Sequence, residues 1–386
     1  MGVTTPSRWT AAHISAAPRF HGPELAEFES EIARPLDPNL NLWDIWPVQT
    51  DDGALAQTAI GTLWVMLSAP RSHDPDARHN QARMRLILRQ HGRWIDCGDL
   101  LPDGFSPGSR EWSGSTRLDT ATGDVTLWFT ATGRRGDSAE TFEQRLFHAV
   151  GRLDLSNALP KVIDWRDLTQ SVTHGGELYA DLTVNQGEPG RIKGMRDPYW
   201  FRDPADGQGY ILFTGSKSAQ ASQSPYDGVI GLARAQDQVG QAPFFLEPPL
   251  IDADGLANEL ERPHVFVQDG LYYLFWCTQR SVFAPTGPSG PTGLYGMVGE
   301  SLRGPYRPMN GSGLVLANPS EEPQQAYAWQ VLPSLEVVSF VDYWGVKGRD
   351  LSTNLALKAA QFGGTIAPII KIALDGATSR IVEGGR

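Results

Sequence analysis

The chain has 386 residues, 40% of them hydrophobic and 20% charged, with a formal net charge of −11. That composition suits a soluble globular protein, and its acidity argues against nucleic acid or an anionic membrane as partner, since both ask for a basic surface. No run of 18 apolar residues occurs, so no membrane-spanning helix is expected.

The opening "MGVTTPSRWTAAHISAAPRF" lacks the basic start and apolar centre of a signal peptide, so the polypeptide is expected to be cytoplasmic or exported by another route. Two short segments near the N-terminus, around Ala11–Ala17 and Glu24–Ile32, are predicted to be helical. The text then turns strand-like with "NLNLWDIWPVQ" at Asn39–Gln49, where Asp44 stands between Trp43 and Trp46. A carboxylate in apolar company is costly to bury without compensation, which marks Asp44 as a candidate for chemistry. Capping a helix is the bland alternative.

Short β-rich runs follow at Gly61–Ala69, Ala82–Gly98, Gly123–Gly133, Gln144–Leu153, Gly209–Ser216, Gly228–Ala235, His264–Thr278 and Gly293–Ser301. "QDG" at Gln268–Gly270 between two apolar runs predicts a tight hairpin. With 41 glycines and 28 prolines, this is an all-β pattern of recurrent strand–turn–strand units, as in a β-propeller whose blades have diverged. No linker divides the chain. Residues 1–386 are read as a single catalytic domain, with about 35 N-terminal residues packing on it. Cys97 and Cys277 lie far apart, without metal-like spacing, and are read as buried thiols.

Twelve tryptophans are many for this length. Indole faces cover the C–H patches of sugar rings, although packing is their commoner use. Retaining glycoside cleavage needs two carboxyl groups about 5–5.5 Å apart, one attacking and one protonating the leaving oxygen. Acids in apolar or strand-like contexts are therefore the ones to weigh. Besides Asp44 they are Asp197 in "GMRDPYWF", and Glu259 and Glu261 in "NELERPHVF". Two glutamates two apart on a strand share a face, and their repulsion would raise the pKa of one, as a general acid requires. A salt-bridged turn and a charged edge strand are the alternatives for the last two places.

Taken together, "LWDIWP", "EWSGST" (Glu111–Thr116), "RDP" (Arg196–Pro198) and "ERPHV" (Glu261–Val265) resemble glycoside hydrolase family 68, the levansucrases, inulosucrases and bacterial β-fructofuranosidases. "SRWTAA", "GPYRPMNGSGLVLANP", "QAYAWQVL" and "GGTIAPIIKIAL" extend the likeness from Ser7 to about Leu374, nearest in look to Gram-negative members. The resemblance implies a single-domain, five-bladed β-propeller with a central funnel-shaped pocket. It implies Asp44 as nucleophile, Asp197 as transition-state stabiliser and Glu261 as general acid/base. Trp43, Trp112, Ser113, Arg196, Glu259, Arg262 and Tyr327 would line the sucrose pocket. Sucrose and sugar acceptors are the implied partners, and secretion is usual for the family.

"RDP" occurs twice. Gly207 and "YILF" follow Asp197 at the spacing of the family's hairpin, whereas Asp203 already lies in the turn, so Asp197 is chosen. After "YYLFW" the family usually carries Arg or His near the acceptor subsite, and Gln279 stands here with Arg280 beside it. Segments that form long outer loops in relatives look short between Arg134 and Gln144 and between Gly187 and Met195. A smaller acceptor platform would favour hydrolysis and short products. Where some relatives place a calcium-binding Asp, this chain has Asn258, so no metal and no cofactor are expected. A hydrolase of preformed fructan or another furanoside, and a non-catalytic sugar-binding propeller, are the competing readings. Oligomeric state is not legible.

Overall fold

The computed structural model describes residues 5–16, 24–181 and 192–383. These are overwhelmingly β, and no described helix is long and apolar enough to cross a membrane. Antiparallel meanders succeed one another along the chain. The first comprises Leu40–Gln49, Gly61–Pro70, Arg83–Gln90 and Arg93–Asp99, and the second Arg110–Leu118, Asp124–Thr132, Gln144–Asp154 and Lys161–Gln170. The third runs Met195–Arg202, Gly209–Ser216, Gly228–Ala235 and Phe244–Asp252. The fourth starts Glu261–Gln268, Leu271–Thr278, Gly293–Gly299, whose far edge takes both Tyr306–Pro308 and Leu314–Ala317. The fifth is built on Ala326–Val331 and Glu336–Tyr343, closed by Phe362–Ile366, Ile370–Asp375 and Thr378–Glu383. Parallel pairing of Val48 with Thr116 and Gln49 with Arg117 fuses the first two meanders into one sheet, leaving four hydrogen-bonded sheets among the described residues.

The lead strands of successive meanders pack side by side. Leu40–Gln49 meets Arg110–Leu118, which meets Met195–Arg202, then Glu261–Gln268, then Ala326–Val331, which returns to Leu40–Gln49. The lead strands therefore close a ring. Each is bulged near its start, where the pairing with its neighbour slips: between Trp43 and Trp46, Trp112 and Gly114, Arg196 and Tyr199, Glu261 and His264, and Tyr327 and Gln330. Four bulges hold a non-glycine residue in the left-handed region: Asp44 (φ 53°), Asp197 (φ 58°), Arg262 (φ 51°) and Ala328 (φ 57°). Such conformations cost free energy and persist only where surrounding contacts impose them. A bulge re-aims a side chain away from the strict alternation of a strand. Here it happens at one level all round the ring.

Two expected features appear directly. The helix near the N-terminus spans Ala11–Ala16, and Asp269 and Gly270, both at positive φ, turn the hairpin that pairs Gln268 with Leu271. The helix expected over Glu24–Ile32 is absent. That segment is irregular because neighbouring chain takes its backbone donors: Leu25 N–H donates to Ala317 O and Phe28 N–H to Gln325 Oε1. The N-terminal residues also dock elsewhere on the sheets. Ser7–Arg8 pairs alongside Phe244–Asp252, and the buried Trp9 meets Trp276, Phe283 and Tyr295 while its indole N–H donates to Ser312 O. Between the second and third meanders Trp128 lies flat on Trp200, centroids 4.7 Å apart, with the Arg117 guanidinium against both rings.

At the second bulge the chain uses glycine for a steric reason. A Cβ on Gly114 would fall 1.9 Å from Trp128 O, a backbone atom of the paired strand. Gly114→Ala is expected to cost about 2–3 kcal/mol, the upper range for overpacking, and to lower the thermal unfolding midpoint. An unchanged midpoint would show that the paired strands do not approach as described.

Candidate active site

The bulges bring distant acids together. Asp44, Ser113 and Asp197 lie within the slips of their lead strands, whereas Glu261 and Tyr327 are the last paired residues before theirs, one position ahead of Arg262 and Ala328. Ser113 Oγ donates to Asp44 Oδ2 at 2.5 Å, and Arg262 Nη1 stands 4.0 Å from Asp44 Oδ1. Tyr327 OH donates to Glu261 Oε2 at 2.5 Å, and Arg196 Nη2 to Glu261 Oε1 at 2.9 Å. Arg196 also lies 3.2 Å from Glu259 Oε2 and, through Nε, 3.8 Å from Asp197 Oδ2. One buried guanidinium thus faces three carboxylates.

Asp197 is the most enclosed of the bulge acids. Its Oδ2 accepts from Thr214 Oγ1 at 2.9 Å and from the Arg262 N–H at 3.2 Å, while its own N–H donates to Thr130 Oγ1. Thr130 in turn donates to Ser113 O, linking the second lead strand to the third. Arg262 spans the ring in the other direction, donating to Ile45 O at 2.8 Å and Ala328 O at 3.1 Å. His264 fixes the fourth strand against the fifth. Its Nε2 accepts from Val331 N–H, so Nδ1 carries the proton toward Arg262 O, and burial pushes its pKa down to about 3.

Burial dominates the electrostatics. It pushes Asp197 up to about 6, with Arg196 pulling down and Glu261 and Asp44 pushing further up. It pushes Glu259 up to about 7, again with Arg196 opposing and Glu261 adding. Asp44 is also raised by burial, against the pull of Arg262 and Ser113. The expected upward shift within the Glu259–Glu261 pair is therefore found on Glu259. The cause differs from the one expected. Glu259 precedes the strand, which begins at Glu261, so the two meet at Arg196 rather than by strand alternation. Glu259 Oε1 further accepts from Ile192 N–H and Asn258 Nδ2. Asn258 Oδ1 receives the Lys193 ammonium at 2.5 Å, alongside Asp227 and Pro225 O, so the Asn258 amide stands between that lysine and Glu259.

The remaining expected residues fall as follows. Trp43 and Trp112 are only 2% and 6% exposed, and both touch the short helical turn Pro75–Asn80: Trp43 packs edge-on to His79, and Trp112 Nε1 donates to His79 O. Trp46, which flanks Asp44 in sequence, is core, with its indole N–H on Thr116 Oγ1. Asp203 lies in the hairpin turn, accepting from Tyr272 OH, away from Arg196. Gln279 is half-buried directly after Thr278, whose hydroxyl donates to Glu259 O. The loop between Thr132 and Gln144 is closed at its base by the Arg134–Glu143 ion pair at 2.7 Å and by Gly133 N–H donating to Glu143 O. The other segment expected to be short, Gly187–Met195, lies partly outside the described residues. Sequence reading missed Thr130 and Thr214, although both follow phenylalanine near the end of a second strand, in "WFTA" and "LFTG".

A family model described as Levansucrase/Invertase matches residues 3–228 and 219–384. The chain belongs to glycoside hydrolase family 68. Curated family 68 relatives include a levansucrase of Pseudomonas savastanoi pv. glycinea, 33% identical over 382 residues that make up 89% of this chain and 83% of that protein. A levansucrase of Erwinia amylovora is 31% identical, covering 98% of this chain and 94% of its own. Among solved structures, the kestose-bound inulosucrase from Halalkalicoccus jeotgali superposes with a TM-score of 0.89 at 33% identity, covering 98% of this chain and 96% of that one.

The raised Glu259 has a measurable signature. Its ordinary value is 4.5 and its folded value about 7, so its contribution to stability is full below pH 4.5 and is lost as pH rises to about 7. Glu259→Gln lacks that proton equilibrium. The thermal midpoint of the variant minus that of wild type is expected to climb between pH 4.5 and 7 and level off above. A flat or falling difference across that window would contradict a buried, proton-holding Glu259.

Proposed function

We propose that this chain is a levansucrase-like fructosyltransferase that cleaves sucrose with retention through a covalent fructosyl-enzyme. The observation carrying this reading is the convergence of Asp44, Asp197 and Glu261 around shared arginines, in a chain of a family whose curated relatives are levansucrases. The ring of bulged lead strands supports a five-bladed propeller with a central funnel, the bulged residues facing that funnel.

In this reading Asp44 is the nucleophile. Ser113 occupies its Oδ2, leaving Oδ1 to form the bond to the anomeric carbon of fructose. As the glycosidic C–O bond breaks, Glu261 passes its proton to the departing glucose oxygen. Tyr327 suits both states of Glu261, since a phenol hydroxyl donates to a carboxylate and accepts from a carboxylic acid. Asp197, held rigid by Thr214 and the Arg262 N–H, faces the positive charge that builds on the fructosyl ring, and so binds the transition state better than the substrate. In the second step water or a sugar hydroxyl loses its proton to Glu261, attacks the same carbon and releases Asp44. Arg196, Arg262, Glu259, Trp43 and Trp112 shape the sucrose pocket.

The loop clamped at its base by Arg134 and Glu143, and Gln279 at the expected acceptor position, support a small acceptor platform, hence free fructose and short oligosaccharides as main products. Asp44→Asn is expected to lower kcat for glucose release from sucrose about 10⁴-fold or more while leaving the fold intact, as removal of a nucleophile does. Retained turnover would sink the assignment. Size-exclusion profiling of the wild-type products should show little high-mass polymer; a predominance of high-mass levan would overturn the platform argument.

A further inference from the structure

Beside the nucleophile lies a charged pair that the mechanism above does not use. Arg78, in the turn Pro75–Asn80, is 6% exposed, and its guanidinium is held between the Phe362 ring at 4.4 Å and the Trp43 ring at 5.5 Å. Its Nη1 is spent on Pro75 O and Asp76. Its Nη2 approaches Asp342 Oδ1 only to 3.9 Å, too far for a hydrogen bond. Both Arg78 Nε and Asp342 Oδ1 are buried without a hydrogen-bond partner among the described residues. The groups that could have satisfied Asp342 are turned elsewhere: Tyr343 OH and Lys358 Nζ both donate to Asp76 at 2.5 Å.

Asp342 is also placed to meet a ligand. It lies one residue past Val341, which pairs with Ala326, so it sits at the Tyr327 end of the fifth meander. Its side chain is 18% exposed, on atoms other than the enclosed Oδ1, so a ligand would reach it through the rest of the carboxylate. Burial pushes its pKa up to about 7, with Arg78 opposing and Asp76 and Asp44 adding, so its charge and that of the nucleophile are felt by each other. A buried ion pair without hydrogen-bond contact is poorly compensated, and what it lacks is a group that accepts from the guanidinium and donates to the carboxylate. An anion would be repelled by Asp342 and Asp44, and a cation by Arg78. A neutral hydroxyl does both tasks.

We propose that Arg78 and Asp342 form a sugar-hydroxyl clamp beside Asp44, a specificity-determining pair that grips one hydroxyl of the bound sugar. The proposal rests on the reading of the pocket as a sucrose site. Because Arg78 also packs on Trp43, loss of activity alone would not distinguish binding from support. The test is therefore a comparison of kcat/KM for sucrose and a panel of monodeoxy-sucroses, in wild type, Arg78→Met and Asp342→Asn, with thermal midpoints measured alongside.

Wild type is expected to lose about 10- to 100-fold in kcat/KM on one deoxy analogue, the worth of a hydrogen bond to a charged group. The variants should lose a similar factor on sucrose, yet treat that analogue and sucrose within about 3-fold of each other. Variants that keep the wild-type discrimination at every position, or that cleave sucrose unimpaired, overturn the clamp and leave the enzyme reading standing. Wild-type protein that leaves sucrose intact overturns the enzyme reading, and the clamp with it.

Discussion

The site depends on one buried guanidinium. Arg196 lies within reach of Glu259, Glu261 and Asp197, and without it three carboxylates would be confined in a space with little water to separate them. The arrangement is not neutralised, since burial still raises Asp197 and Glu259 against the pull of that arginine. A cluster short of counter-charge and poor in water favours positive charge arriving from elsewhere. A fructosyl group approaching an oxocarbenium ion brings it. The feature that makes the cluster expensive to fold is thus the feature that makes it useful.

The bulges carry Asp197 to Arg196 and Asp44 to Arg262. In a regular strand Asp44, Asp197 and the residue after Glu261 would follow the alternation of their neighbours, and the registers of the lead strands would run through unbroken. The left-handed residues at Asp44, Asp197, Arg262 and Ala328 break it at the same level. The Arg262 N–H, freed from its ladder by the slip, is what donates to Asp197. Arg262 then uses its guanidinium to tie Ile45 O to Ala328 O across the ring, so neighbouring bulges support one another. Strain stored at each position is shared by the whole set.

Much of this was legible in the sequence. Acids embedded among apolar or aromatic neighbours, as at Asp44 and Asp197, are rare enough to be noticed, and the resemblance to family 68, through the spacing of its hairpin, separated Asp197 from Asp203. Hairpin chemistry at Asp269–Gly270 specified its own turn. The misread parts share a physical cause: they depend on which strand lies next to which. Thr130, Thr214, Arg78 and Asp342 acquire their roles from partners 17 to more than 260 residues away, such as Thr130 on Ser113 and Arg78 on Asp342. The Glu24–Ile32 segment looks helical only while the neighbours that take its N–H groups are out of view.

The most direct test of the central claim, that the bulge at residue 44 delivers the attacking carboxylate, is to catch the intermediate. Wild-type protein mixed with sucrose, quenched in acid within the first turnovers and digested, would be mapped by mass spectrometry for a fructosyl unit on the peptide carrying Asp44. The account predicts that label on Asp44, appearing and decaying with turnover. A label on any other carboxylate, or cleavage of sucrose with no covalent species at any time, would contradict it.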